Sequence, residues 1–232
     1  MSKQDYTHLT ILIDTSSSMS TSIRQVKQST LALLTDQAAL GKDLTISLGI
    51  FPDRHNHRNG ASWGSEHHFL TPEEAKQVVS GIQAAGGTPM CDAIGNVATT
   101  VAQKIFSMAA SEQPEKILFA IITDGEEGHS RQYNLADIAR IVTHHEDTYS
   151  WEFLYIGSNQ NAYDVGKEMG IKAGKALSFA SSTDGLAQAM SAVSASVLRF
   201  RQNGAPHANQ FFSSNDHNAQ AALGASSSPI SG

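Results

Sequence analysis

Two carboxylates in this sequence each close an apolar run. Asp14 ends His8-Leu-Thr-Ile-Leu-Ile-Asp14, and Asp124 ends Lys116-Ile-Leu-Phe-Ala-Ile-Ile-Thr-Asp124. Asp14 also opens Asp14-Thr15-Ser16-Ser17-Ser18, so oxygen-bearing side chains stand at positions one, three and five of one tight loop. Gly86-Gly87-Thr88-Pro89 adds a third hydroxyl on a backbone that glycine lets approach a ligand closely. Two carboxylates and three hydroxyls form a hard, all-oxygen donor set, suited to Mg²⁺ or Mn²⁺ with water completing an octahedron. Taken alone, the first loop has a second reading: Ser18 or Ser20 can cap the helix that follows it.

Other patterns carry weaker chemistry. Gly60-Ala-Ser62-Trp-Gly64 matches the G-x-S-x-G of esterase elbows, but that motif needs a strand before it and a helix after it. Here a polar loop, Asp53 to Asn59, precedes it and a short strand is expected to follow. Gly170-Ile-Lys-Ala-Gly174-Lys175 is one residue short of a phosphate-binding loop and continues into Ala176 rather than Ser or Thr. His55, His57, His67 and His68 could gather round a transition metal, although a solvated loop and edge strand explain them more simply. His144-His145-Glu146-Asp147 lacks the spacing that sets ligands on one helical face. Cys91 stands beside the Gly-Gly-Thr loop at a helix start, where a thiol pKa can fall, but a buried structural thiol is the commoner case. Glu126 and Glu127 read as rim charges.

The elements that must position Asp14 and Asp124 follow from periodicity. Both apolar runs lack clean alternation, as strands buried on two faces do. Ile23, Val26, Thr30, Leu33 and Leu34 share a helical face, with Gly41 past its end. Leu44–Ile50 alternates as a strand, a short strand is expected near His67–Leu70, and Pro52 to Ser65 is loop by composition. Thr71-Pro72-Glu73-Glu74 has the hydroxyl, proline and glutamate of a helix start, and the helix runs to about Ile82. Ile94, Val97, Val101, Ile105 and Met108 mark another helix. Leu135, Ile138 and Val142 mark a third, before a strand at Trp151–Ile156. A short helix at Ala162–Met169, a strand at Ala176–Phe179 and a helix opened by Thr183 complete the alternation. Such alternation predicts an α/β fold, a mostly parallel sheet between helices. If the two Asp-ending strands are neighbours, both carboxylates and the serine loop emerge at the sheet edge where open α/β folds bind ligands.

Composition bounds the rest. Hydrophobic residues are 40% and charged residues 16% of the 232, an ordinary globular balance. Sixteen Lys+Arg against 22 Asp+Glu give a net charge of −6, without the basic clustering that an electrostatic grip on nucleic acid or anionic membrane needs. The single cysteine excludes an intrachain disulfide and every multi-cysteine metal site. With no signal-like segment and no apolar run of ~18 residues, a cytoplasmic protein is expected. Residues 1–201 are expected to form one domain. Residues 202–232, rich in Ser, Ala, Asn and Gly, are expected to be a disordered tail with Phe211-Phe212 as a candidate anchor.

Asp14-x-Ser16-x-Ser18, Thr88 in Gly-Gly-Thr-Pro and Asp124 in Thr-Asp-Gly, in that order and spacing, resemble the metal-ion-dependent adhesion site of the von Willebrand factor A domain family. The resemblance covers about Thr7 to Arg201. It implies a doubly wound six-stranded sheet in order 3-2-1-4-5-6, with one short antiparallel edge strand near His67–Leu70. It also implies roles: Ser16, Ser18 and Thr88 as direct or near-direct ligands of Mg²⁺ or Mn²⁺, with Asp14 and Asp124 acting through water or changing shell on binding. Ser17 replaces a glycine often found in the family. Trp151 to Ala162 and Met169-Gly170-Ile171 are similar to small stand-alone cytosolic members from bacteria and their viruses. The implied function is non-enzymatic, metal-dependent binding of a protein that offers an Asp or Glu to the metal. Alternatives are a substrate-recruiting subunit working with an AAA-type ATPase, and, more remotely, a hydrolase.

Overall fold

The computed structural model describes residues 2–52, 63–158, 162–205 and 210–226. Six strands form one sheet in the order β3-β2-β1-β4-β5-β6: β1 Lys3–Asp14, β2 Leu44–Phe51, β3 Ser65–Leu70, β4 Pro114–Thr123, β5 Glu152–Ser158 and β6 Ala176–Phe179. All neighbours pair in parallel except β3, which runs antiparallel to β2. The expected fold class and strand order are therefore the observed ones, and the edge strand starts at Ser65.

Helices cover both faces. On one lie α1 (Ile23–Ala39), α2 (Pro72–Gly81) and α6 (Thr183–Asn203). On the other lie α3 (Met90–Ser107), α4 (Leu135–Tyr149) and the short α5 (Ala162–Glu168). The period-two geometry of a strand divides the apolar runs between two cores. Leu118, Ala120 and Ile122 of β4 meet α1 and α6, while Ile117, Phe119 and Ile121 meet α3 and α4. Thr71 and Glu74 complete the capping box foreseen for α2, and Asn134 with Asp137 forms another at α4. Among the described residues no helix is long and apolar enough to cross a membrane.

The register places the site. Ile13 pairs with Ile122 and Asp14 with Phe51, so β1 and β4 leave the sheet side by side at their carboxyl ends. Those two strands separate helices on opposite faces, the switch point at which this architecture binds ligands.

The tail differs from its composition. α6 runs to Asn203, and Arg201, 1% exposed, donates to the backbone carbonyls of Gln37 and Lys42. Phe211 and Phe212 are both buried, and their N–H groups donate to the Gly174 carbonyl at 2.9 and 3.1 Å. Ser214–Ser226 then forms α7, packed on α6 and β6. Its buried Gln220 accepts from Ala180 N and donates to Gly185 O, standing in for a peptide group at the sheet edge. The candidate anchor Phe211-Phe212 docks on this chain, each ring worth about 1.5–3 kcal/mol when buried, so the disorder expected for residues 202–232 does not hold over 210–226. Residues 206–209 and 227–232 lie outside the described residues.

Candidate metal centre

Asp14, the last residue of β1, has no exposed surface. One oxygen accepts the Ser16 N–H at 2.7 Å, and the other accepts the Thr123 hydroxyl at 2.6 Å. Thr123 ends β4, so the neighbouring strand holds the Asp14 carboxylate in one orientation. The Ser16 and Ser18 hydroxyls lie 2.8 Å apart, and Ser18 Oγ donates to Asp124 Oδ1 at 2.7 Å. Asp14, Ser16, Ser18 and Asp124 thus form one connected set.

Thr88 joins them from the other face. A Cβ added to Gly125 would lie 3.1 Å from Thr88 Oγ1 and 3.5 Å from Asp14 Oδ2, so both oxygens border the space that glycine leaves open. Backbone bonds stitch the loops together: Ser17 N to Gly86 O at 2.9 Å, Ala85 N to Thr15 O at 2.7 Å and Gly128 N to Thr88 O at 3.4 Å. Gly86 takes φ +77°, a conformation that side chains disfavour. All five candidate residues come to one sheet edge.

The capping alternative for the serines does not describe this geometry. Ser17–Thr21 is a 3₁₀ turn whose cap, Ser16, makes no side-chain capping bond. The cap of α1 is Ser22, which also makes none. Ser16 and Ser18 turn their hydroxyls toward each other and toward Asp124 instead.

The electrostatics are unbalanced. Burial pushes the Asp14 carboxyl up to about 6; hydrogen bonds from Thr123 and Ser16 oppose the rise, and the nearby Asp124 charge adds to it. Asp124 is also raised, by burial first, against the Ser18 hydrogen bond. Among the described residues no Lys or Arg forms an ion pair with either. Two carboxylates withdrawn in part from water, linked to the Ser16 and Ser18 hydroxyls and with the Thr88 hydroxyl beside Asp14 at Gly125, fit a small hard divalent cation by donor type. No group of three or more His, Cys, Asp or Glu among the described residues could hold a metal. Any metal here would therefore rely on hydroxyl ligands.

Sequence patterns outside this edge resolve otherwise. His68 Nδ1 lies 3.3 Å from Ser47 Oγ, which is 3.0 Å from His8 Nε2, so His68 belongs to a network across β1, β2 and β3. Burial, and then His68, push the His8 pKa down to about 3, which keeps that ring neutral. His55, His57 and Ser62 lie outside the described residues, but Trp63 and Gly64 lead into strand β3 rather than a helix. Lys175 is buried against Glu146 and Glu152, so the near phosphate loop has its lysine occupied. Cys91 is buried, and burial followed by the Glu127 charge pushes its thiol up, away from reactivity.

Glu127 is more than a rim charge. Its carboxylate accepts from Cys91 N, His129 N, Ser130 N and Ser130 Oγ. Burial raises its pKa, but those bonds outweigh burial and hold it below the ordinary value. The role of Glu127 is not visible in the sequence, and Thr123 and Gly125 appear there only as the flanks of Asp124 in Thr-Asp-Gly, with no role of their own. The available signal is position, since Thr123 and Gly125 flank Asp124.

No family model matches the chain, and no curated protein matches it in sequence. Solved structures share its fold. The pilus adhesin SpaC from Lactobacillus rhamnosus GG in its open conformation superposes with a TM-score of 0.62 at 13% identity, over 84% of this chain and 30% of that one. Proximal thread matrix protein 1 from the mussel byssus gives 0.57 at 13% identity, over 82% of this chain and 45% of that one. Its second crystal form gives 0.59 at 14%, over 81% and 47%. The chain spans less than half the length of each.

Proposed function

We propose that this chain is a non-enzymatic protein-binding module of the von Willebrand factor A type. Its grip depends on Mg²⁺ or Mn²⁺ held by Asp14, Ser16, Ser18, Thr88 and Asp124. The observation that carries the reading is the connected donor set: Asp14 fixed by Thr123 and the Ser16 N–H, Ser16 joined to Ser18, and Ser18 to Asp124. Bound there, the cation would supply an open coordination position of net positive character. The residues explain why an acidic partner suits it. Three of the five are hydroxyls, which carry no formal charge to cancel the cation's. Asp14 is buried and bonded through both oxygens, so it stays at the back of the site. Ser17 and Ser18 are exposed and mark the open side. A partner Asp or Glu is the hard anionic ligand that proteins have to offer there. The net charge of −6 without basic clustering argues for a protein rather than nucleic acid or membrane, and the cytoplasm is the proposed compartment. That an adhesin shares the fold gives further support.

Calorimetry tests the metal. Mg²⁺ titrated into the wild type should give binding heat, and an Asp14→Ala, Asp124→Ala double variant should give none; equal binding by both would remove the site from the reading. Affinity capture tests the partner. A captured protein should be lost with EDTA and restored with Mg²⁺. Thr88→Ala should weaken capture without unfolding the domain, because Thr88 lies on a loop. Salt alone should weaken it less than chelation, since direct coordination is screened less than a surface ion pair. A complex that survives EDTA and tolerates Thr88→Ala would locate the interface elsewhere.

A further inference from the structure

The loop between β4 and α4 has no helix or strand of its own, yet two carboxylates fasten it to the first turn of α3. Glu127 gathers the N–H groups of Cys91, His129 and Ser130 at 2.7, 2.9 and 2.8 Å. Asp92, with no exposed surface, accepts from the N–H groups of Arg131, Gln132 and Tyr133 at 2.9, 2.8 and 2.9 Å. From this fastened loop His129 reaches back across the sheet edge. Its Nδ1 accepts the Thr88 N–H at 3.0 Å, which assigns the imidazole proton to Nε2. Its ring lies on Gly87, where an added Cβ would stand 2.5 Å from Cγ, Cδ2 and Cε1. Thr88 follows two glycines, whose backbone is the most permissive of any residue's. The turn is held by the Ser17 N–H bond to Gly86 O, by the long Gly128 N–H bond to Thr88 O at 3.4 Å, and by the His129 contact.

We infer that His129 is a positioning residue for the metal centre: seated on Gly87 and bonded to Thr88 N, it aims the Thr88 hydroxyl into the donor set. The inference rests on the metal reading above. It assigns to an exposed side chain a task that its exposure hides. It also explains why Gly87 must lack a side chain although its own backbone is not in the left-handed region. An alanine there would be tolerated by the chain but would push the ring away.

Manganese binding, measured by calorimetry on the full chain, tests this. His129→Ala should weaken Mn²⁺ about tenfold or more, the usual consequence of losing a group that orients a ligand. Gly87→Ala should cause a similar loss by displacing the ring. The two together should lose no more than either alone, because both remove one contact. His129→Asn, whose amide oxygen can replace Nδ1 as acceptor, should recover most of the affinity. Urea unfolding in EDTA should give wild-type midpoints for His129→Ala and His129→Asn, whereas a merely structural role would shift them. Wild-type affinity in His129→Ala, additive losses, or failure of His129→Asn to recover binding would each overturn the inference. If Mn²⁺ binds the wild type and not the Asp14→Ala, Asp124→Ala variant, those failures fall on His129 alone. A wild type that binds no Mn²⁺ would instead overturn the metal reading and this inference with it.

Discussion

At the amino ends of β5 and β6, Glu152 and Glu146 are buried around Lys175, whose Nζ lies 2.5 and 2.6 Å from their oxygens, and Lys172 stands 3.8 Å from Glu146. At the carboxyl ends of β1 and β4, Asp14 is buried and Asp124 half-buried, with hydroxyls for company and no ion-paired Lys or Arg among the described residues. The first group brings its own cations inside the chain, although burial still holds the Glu152 carboxyl above its ordinary pKa against the pull of Lys175. The second is left short of positive charge. On the metal reading proposed above, this contrast would separate a structural knot from a site that takes its cation from outside.

The comparison breaks most readily at Lys175. Lys175→Met should cost about 3–5 kcal/mol in urea unfolding with EDTA, because it leaves Glu146 and Glu152 buried without their partner. Adding Glu146→Gln and Glu152→Gln should recover much of that loss. If Lys175→Met cost less than about 1 kcal/mol, the cluster would be solvated and the contrast with Asp14 and Asp124 would fade.

Next comes the cation itself. At a hundredfold excess over its dissociation constant, Mg²⁺ should stabilise the wild type by about 2.7 kcal/mol. The increment should be the same in the charge-neutral Lys175→Met, Glu146→Gln, Glu152→Gln variant and absent in Asp14→Ala, Asp124→Ala. Unfolding curves with and without Mg²⁺ read this directly. Equal stabilisation of all three proteins would mean that the ion acts away from the sheet edge.

The two regions are unequally legible in the sequence. Asp14 and Asp124 announce themselves because each ends an apolar run, and alternation of strands and helices then brings both to one edge. Ser16 and Ser18 are local to Asp14. What no local pattern contains is the closing contact, Ser18 to Asp124, between residues 106 apart. The Lys175 cluster hides for the same reason. It joins residues of α4, β5 and the turn before β6, and Lys175 in sequence looks like a failed phosphate loop. Phe211 and Phe212 stand out in the sequence as a candidate anchor, but their docking surface and the helix that follows them do not, because composition averages over the polar residues around them. Glu127 reads as a rim charge and Asp92 carries no signal of its own, since backbone N–H groups are their main partners and a sequence does not display those.

The smallest effect should separate the two regions most cleanly. Asp124→Asn preserves shape and keeps an amide oxygen to accept from Ser18, while it removes one of two carboxylates that burial disfavours. With no cation present, nothing in the described ion pairs rewards the Asp124 charge, so the substitution should leave stability in EDTA unchanged or raise it, by no more than about 1 kcal/mol because the group is part-exposed and screened. Glu152→Gln, an equally conservative change, should instead destabilise, because the Lys175 charge would lose one of its two close partners. The readout is the urea midpoint of each variant in EDTA, followed by Mg²⁺ titration. A gain or no change for Asp124→Asn together with weakened Mg²⁺ binding would mark a carboxylate kept for a ligand rather than for the fold. A loss matching that of Glu152→Gln would make Asp124 a structural partner of Ser18 and remove the distinction between the two ends of the sheet.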